Sequence, residues 1–186
     1  MIYAETPRLH LRALEESDLP RLVELIGDWR VAKWMIRAPY PYHFKDAEEF
    51  FEIQQKHYNA GRPVFFAIID KNSGVFMGGA GLHPAQIDPR PEEIILGYWL
   101  GVPFWEKGFM SEAVKAAISL AFRRPDIKVL GAKTDPQNEP SLSVLEKSGL
   151  KFLGVFPRAE LALRGSLEET RWELKREDYE KSANQP

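Results

Sequence analysis

The segment best placed to do chemistry is Trp105-Glu106-Lys107-Gly108-Phe109-Met110-Ser111-Glu112-Ala113, where a strand-like stretch gives way to a helix-like one. The first N–H groups of a helix have no acceptor within the helix, and the helix dipole puts partial positive charge beside them. A phosphate or pyrophosphate is therefore a natural guest there. Gly108 lets backbone approach an anion closely, and Lys107 adds charge. A plainer reading stands beside this one, because a glycine ahead of a helix is also an ordinary turn residue. The segment is neither a Gly-x-x-x-x-Gly-Lys-Ser/Thr phosphate loop nor a dinucleotide fingerprint with three spaced glycines. No metal site is expected: His10, His43 and His57 are scattered, and the chain has no cysteine, which excludes disulfides, thiolate zinc and cysteine nucleophiles.

The surrounding pattern must position that loop. Arg8 to Arg12 alternates polar and apolar residues as a half-buried strand does, and Leu19, Leu22, Val23 and Ile26 then make a helical stripe after Ser17, Asp18 and Pro20. Asp46 and Glu49 at capping-box spacing open a second helix carrying Phe50, Phe51 and Tyr58, and Gly61 ends it. Val64–Asp70 and Val75–Leu82 read as a hairpin around Lys71-Asn72-Ser73-Gly74. Glu93–Leu100 is a strand whose unbroken apolar run predicts burial on both faces. A long helix follows from Met110 to Phe122, stopped by Pro125. Then come a strand at Ile127–Thr134, a short helix at Ser141–Lys147 with Gly149 as its left-handed cap, and strands at Phe152–Phe156 and Thr170–Lys175. The order predicts one mixed α/β domain over residues 1–180 and a polar tail over 181–186. The two strands flanking the long helix should be parallel neighbours.

At 186 residues, with 44% hydrophobic and 28% charged side chains, the chain is long enough for one domain that buries about 70% of its unfolded surface. Twenty-five Lys and Arg against 27 Asp and Glu give a formal charge of −2, so no general field exists to hold nucleic acid or an anionic membrane. The run from Ile94 to Trp105 falls short of the roughly 18 to 20 residues a membrane span needs, and the N-terminus has no secretion signal. A cytoplasmic protein is expected.

Gly97-Tyr98-Trp99-Leu100, then Trp105-x-Lys107-Gly108-Phe109-x-Ser111-Glu112-Ala113, then Asn138-x-x-Ser141 and Glu146-Lys147-Ser148-Gly149-Leu150, resemble in order and spacing the GNAT superfamily of acetyl-CoA-dependent N-acetyltransferases. Thr6-Pro7-Arg8-Leu9-x-Leu11-Arg12, followed by Asp18, is similar to the opening of its RimJ/RimL-like branch, and the resemblance runs from about Thr6 to Asp178. It implies a GNAT fold, a twisted mixed sheet splayed between its fourth and fifth strands, here Glu93–Leu100 and Ile127–Thr134. Coenzyme A would pair with backbone near Leu100, Gly101 and Val102. Its pyrophosphate would rest on Lys107, Gly108, Phe109, Met110 and Ser111, with Asn138 against the cofactor arm. Taken alone, Asn138 and Ser141 read equally as turn and helix-cap residues.

Departures from the family pattern matter for mechanism. The family's usual Gln/Arg-x-x-Gly-x-Gly/Ala loop would begin at Trp105 and end at Met110 here. The tyrosine acid of many members falls on Leu145, and the branch's frequent glutamate falls on Ile95. Ser141, one helical turn before Leu145, is the candidate expected to substitute as the acid. An alkylamine of pKa near ~10 must lose a proton before it attacks a thioester, and Glu93, His83 and Asp135 are the candidate acceptors. Trp29, Trp34, Tyr40 and Tyr42 crowd the approach to the second helix, so Trp34, Tyr40 and Tyr42 either line a pocket for the amine or serve as core. The Glu15-Glu16, Glu48-Glu49 and Glu168-Glu169 pairs read as solvated faces. The expected activity is transfer of acetyl from acetyl-CoA to a primary amine, such as a peptide N-terminus, an antibiotic, a polyamine or an amino acid, by a monomer or weak homodimer. The rivals are a silent acyl-CoA-binding sensor or scaffold, and a nucleotide-phosphate enzyme using the same loop.

Overall fold

The computed structural model describes residues 1–84, 90–158 and 165–183. An eight-stranded sheet organises them in the spatial order β1-β2-β3-β4-β5-β6-β8-β7. Its strands are β1 (Ile2–Glu5), β2 (Leu9–Arg12), β3 (Phe65–Asp70), β4 (Phe76–His83), β5 (Glu93–Leu100), β6 (Val129–Thr134), β7 (Lys151–Pro157) and β8 (Glu168–Lys175). All pairs are antiparallel except β5 with β6, the parallel pair expected on either side of the long helix. The helices are α1 (Leu19–Gly27), α2 (Trp29–Ala32), α3 (Phe44–Asn59), α4 (Phe109–Phe122), α5 (Glu139–Lys147) and α6 (Arg176–Ala183). Among the described residues, no helix is long and apolar enough to cross a membrane.

Each face of the sheet carries its own core. Leu19, Leu22, Leu25 and Ile26 of α1 pack with Ala47 of α3 against Phe65, Ala67, Ile69 and Phe76. On the opposite face, Ala113, Val114, Ala117, Ile118 and Ala121 of α4 and Leu145 of α5 cover Leu96, Leu100, Leu130 and Ala132. The small residues on α4 bring it close to the strands, which fixes where its N-terminus opens relative to β5.

Several elements differ from the sequence reading for local reasons. α3 begins at Phe44, capped by His43, whose N–H donates to Asp46 Oδ2 at 2.7 Å, so Asp46 is the third residue of the helix and not its cap. β1, α2 and α6 lacked a signal because two are only four residues long and α6 is almost wholly polar. Lys181 to Ala183 form the last turn of α6 where a tail was expected; 184–186 lie outside the described residues. The apolar run of β5 is covered on one side only, since Ile95, Gly97 and Trp99 are half-buried and face a cavity.

The link from β2 into α1 is held by charge. Arg12 donates to both oxygens of Asp18 at 2.7 and 2.8 Å, and Asp18 also accepts Glu15 N–H at 2.9 Å. Both side chains are nearly removed from solvent. Breaking such a pair strands the remaining charge, whereas an exposed pair contributes little. Asp18→Ala is therefore expected to cost about 3 to 5 kcal/mol in urea unfolding. Glu24→Ala, which breaks the solvent-facing Arg21 pair, should cost at most ~1 kcal/mol.

Candidate active site

β5 and β6 are paired only from Glu93 opposite Val129 to Leu96 opposite Ala132. Beyond that point β5 stays with β4 up to Leu100, while β6 stays with β8 up to Thr134, so the sheet splits into two arms. The register on β4 shows which peptide groups face the split. Gly101 N–H donates to the Met77 carbonyl, and counting back along the antiparallel ladder turns the peptide groups of Tyr98 and Leu100 away from β4 and into the gap. The Leu100 carbonyl is capped by the Trp105 indole N–H at 2.7 Å. The open backbone edge thus lies at Tyr98 and the Leu100 N–H. It does not extend to Gly101, whose N–H is committed, or Val102, which enters a 3-10 turn.

A cavity of about 1420 Å³ occupies this split. Residues from both faces of the sheet line it: Tyr98, Ser141 and Met110 on the α4 and α5 side, and His83, Trp99 and Phe50 on the α1 and α3 side. A cavity bounded by both faces passes through the sheet where the strands part.

The first mouth is the loop into α4. Gly108 has φ +75° and Glu106 φ +60°, two left-handed residues that turn successive N–H groups inward. Glu106 carries a side chain in a region that costs of order 1 kcal/mol or more, a strain typical of ligand-gripping loops. The N–H groups of Phe109, Met110 and Ser111 begin the helix without intrahelical acceptors, and these residues line the cavity with Gly108. Lys107 does not face it, because its Nζ donates to the Pro103 carbonyl at 2.8 Å. The cation at the cradle is Arg8 from the N-terminal segment, which donates to the Lys107 carbonyl at 2.9 Å and lies 4.4 Å from the Phe109 ring centroid. Glu112, in the first turn of α4, holds Arg8 in place. It accepts Arg8 Nε at 2.6 Å, Arg8 N–H at 2.9 Å and the Thr6 hydroxyl at 2.5 Å. These partners fit an anionic diphosphate: two backbone turns, an open helix start and a guanidinium braced by Glu112.

Inside the split, Ser141 Oγ and Tyr98 Oη lie 2.9 Å apart, and Tyr98 can also donate to the Ser141 carbonyl at 3.2 Å. Burial pushes the Tyr98 phenol up, outweighing the opposing effect of the Ser141 contact, so it stays protonated. Ser141 N–H in turn donates to Asn138 Oδ1 at 3.4 Å, which makes Asn138 the cap of α5 as well as a cavity residue. Nothing in the local sequence marks Tyr98 as a site residue; it stands on a strand and meets Ser141 only through the fold.

At the second mouth, His83 lies over two glycines. A methyl group at Gly81 would come within 2.7 Å of the imidazole ring, and one at Gly97 within 3.6 Å. Trp34, Tyr42 and Phe50 line the cavity here. Tyr40 does not: it is 44% exposed and packs on Trp29 with ring centroids 4.9 Å apart. Glu93 stands at the closed end of β5, ion-paired with Arg90 at 2.7 Å and outside the cavity lining. Asp135 does line the cavity, but its oxygens accept Ser166 N–H at 2.7 Å, Gln137 N–H at 2.9 Å and an Arg158 contact at 3.4 Å, the work of an anchor. Glu169, expected on a solvated face, is 2% exposed and held between Lys133 at 3.4 Å and Arg171 at 3.0 Å. Leu145, where the family tyrosine would fall, is core.

The brace at Glu112 has a measurable signature. Burial raises its carboxyl, but hydrogen bonds from Thr6 and Arg8 and the guanidinium charge outweigh this and hold it below the usual carboxylate range. A depressed folded value stabilises the fold above the unfolded value and loses that contribution as pH falls through the folded one. The drop in thermal midpoint from pH 7 to pH 3 should thus be smaller in Glu112→Gln than in the parent, with the variant already less stable at pH 7.

The family comparison agrees with this geometry. The family described as "Acetyltransferase (GNAT) domain" matches residues 8–151. The chain is 30% identical over 157 residues to the "Uncharacterized N-acetyltransferase p20" of Bacillus licheniformis, covering 84% of this chain and 86% of that one. In fold it is similar to a RimL ribosomal L7/L12 alpha-N-protein acetyltransferase in complex with coenzyme A, with TM-score 0.79 and 20% identity over 96% of this chain and 99% of that one. It is also similar to the microcin C7 self immunity acetyltransferase MccE in complex with acetyl-CoA and AMP, with TM-score 0.73 and 19% identity over 91% and 93% of the two chains. At such identities these two neighbours establish the fold alone, and it is the family match together with the relative at 30% that places this chain in the GNAT family of N-acetyltransferases.

Proposed function

We propose that the two mouths serve two substrates: acetyl-CoA enters along the Gly108 cradle, a primary amine enters past Trp34 and Tyr42, and they meet in the split. The observation that carries this reading is the single cavity that crosses the sheet, with an anion cradle on one side and an imidazole on the other. RimL, a fold neighbour, is named as an alpha-N-protein acetyltransferase, which supports an amine acceptor.

Acetyl-CoA, when bound, supplies an activated acetyl thioester; the chain supplies position and proton handling. Gly108 to Ser111 and Arg8 would hold the diphosphate, and the peptide edge at Tyr98 and Leu100 would hold the arm. His83 Nε2 or Nδ1 accepts the proton that the amine sheds, since imidazole is the side chain that changes charge nearest neutral pH. The Leu100 N–H faces the split and is suited to polarise a carbonyl oxygen. Ser141 Oγ donates toward the departing sulfur. Its proton has two stable arrangements: in one it points to Tyr98 Oη while Tyr98 donates to the Ser141 carbonyl, and in the other Tyr98 donates to Ser141 Oγ and the serine proton turns into the split. Of the other two candidates from the sequence, Asp135 already accepts from Gln137, Ser166 and Arg158, and Glu93 lies outside the cavity lining.

A thermal-shift series should show stabilisation by acetyl-CoA exceeding that by ATP, and acetyl-CoA with a panel of amines should release free CoA above background. Stabilisation without release would point instead to a sensor. Gly108→Val forces a β-branched side chain into a left-handed turn, and it should weaken acetyl-CoA binding at least tenfold in calorimetry while the protein remains folded. His83→Gln and Ser141→Ala should each lower kcat by about 10² to 10⁴ with acetyl-CoA affinity nearly unchanged. Parental turnover in either variant removes that residue from its role.

A further inference from the structure

The acceptor side of the split holds a charge that the acetyl-transfer reading does not use. Arg158 follows β7 directly and is 4% exposed, and it lines the cavity beside Asp135, Asn138 and Glu169. Its Nε donates to the Ser166 carbonyl at 2.9 Å, and its Nη2 donates to the Glu168 carbonyl at 3.2 Å and leans on Asp135 Oδ2 at 3.4 Å. Nη1 is buried and has no acceptor among the described residues. An unpaired buried donor costs about 1 to 3 kcal/mol, and more when charged, so such a group marks a place where an outside acceptor belongs.

The surroundings select the sign of that acceptor. Lys133 and Arg171 share the single carboxylate of Glu169, and Arg158 leans on Asp135, so this corner has three cations for two anions among the described residues. The start of α5 adds the positive end of a helix dipole at Asn138. The corner also lies on the correct face. A methyl at Gly131 would touch Ile95, so residues 131 and 133 of β6 share the face of Ile95, Gly97 and Trp99, where His83 sits. Arg171 stands opposite Lys133 across β8 on that same face. One end of the acceptor mouth is thus an imidazole, and another is a buried guanidinium, Arg158, with two partly exposed cations, Lys133 and Arg171, beside it.

We infer that Arg158 binds a carboxylate on the acceptor, making the substrate an amine that carries a carboxylate, as an amino acid does. The inference rests on the acetyl-transfer reading and narrows it. Polyamines and aminoglycoside-like polycations offer no oxygen anion to Nη1 and add charge to a corner already in excess, which sets them against the site.

The test compares free amino acids with their own carboxamides, alongside spermidine, as acceptors with acetyl-CoA. The parental enzyme should prefer the carboxylate over its amide at least tenfold in kcat/KM, mostly through KM. Arg158→Gln should erase that preference while acetyl-CoA binding, read by calorimetry, stays within twofold. Arg158→Lys, which keeps the charge, should retain part of it and guards against a glutamine variant that fails to fold. Equal use of acid and amide by the parental enzyme, or preference for spermidine, overturns the inference while leaving acetyl transfer intact. Should no amine release CoA, the transfer reading fails. The Arg158 site is then judged by calorimetric titration of the amino acids and amides into parental protein and Arg158→Gln, where binding that ignores the carboxylate or survives the substitution unchanged overturns it.

Discussion

The parting of β6 from β5 after Leu96 is the constraint on which the rest depends. In a closed sheet, the peptide groups of Tyr98 and Leu100 would be satisfied by the neighbouring strand; here they border a cavity. Buried peptide groups without partners are costly, so a split sheet persists only if each arm is held independently. Both are. β5 remains laddered to β4 through Leu100, and the Trp105 indole closes the Leu100 carbonyl. β6 remains laddered to β8 through Thr134, and just beyond it Asp135 binds Ser166 and Arg158, tying the end of that arm to the connection between β7 and β8. The gap is built from two rigid edges, which is what a site needs if it is to hold two reactants without reorganising.

The anion cradle follows the same logic at longer range. Its turn depends on a strained residue, Glu106, and on Gly108, and neither would hold its geometry from local preference alone. The restraint comes from the other end of the chain, where Thr6 and Arg8 converge on Glu112, more than a hundred residues away in sequence. The N-terminal segment therefore has a role beyond forming β2. It fixes the start of α4 and supplies the cation that Lys107, turned onto Pro103, does not.

What could be read from the sequence divides along that boundary between local and distant. The stripe of α1, the apolar face of α4 and the run of β5 showed in their own residues, because burial of one face imposes a period that survives in the sequence. The open face of β5 did not show: Ile95, Gly97 and Trp99 are as apolar as core residues, and only the departure of β6 leaves them beside a cavity. Charges misled for a related reason. Glu169 looks like one of a solvated pair until β6 and β8 bring Lys133 and Arg171 to it, and Lys107 looks like a phosphate ligand until its loop curls back. The Gly108 turn, the α5 cap at Asn138 and Ser141 could be located from spacing, whereas Tyr98 required the fold.

Tyr98 also bears on how strictly a reaction dictates residue positions. The family's tyrosine would come from the middle of α5, yet that position is Leu145, packed in the core. A phenol reaches the same end of the helix from β5, 2.9 Å from Ser141 Oγ. Neither hydroxyl needs to give up its proton outright, which suits a phenol whose burial resists ionisation. A sulfur gaining negative charge at the first turn of α5 would face a hydroxyl donor and the positive end of the helix, and both interactions strengthen as the charge grows. The chemistry of acetyl transfer asks for an oriented donor at a point in space, which a strand residue can present as well as a helix residue.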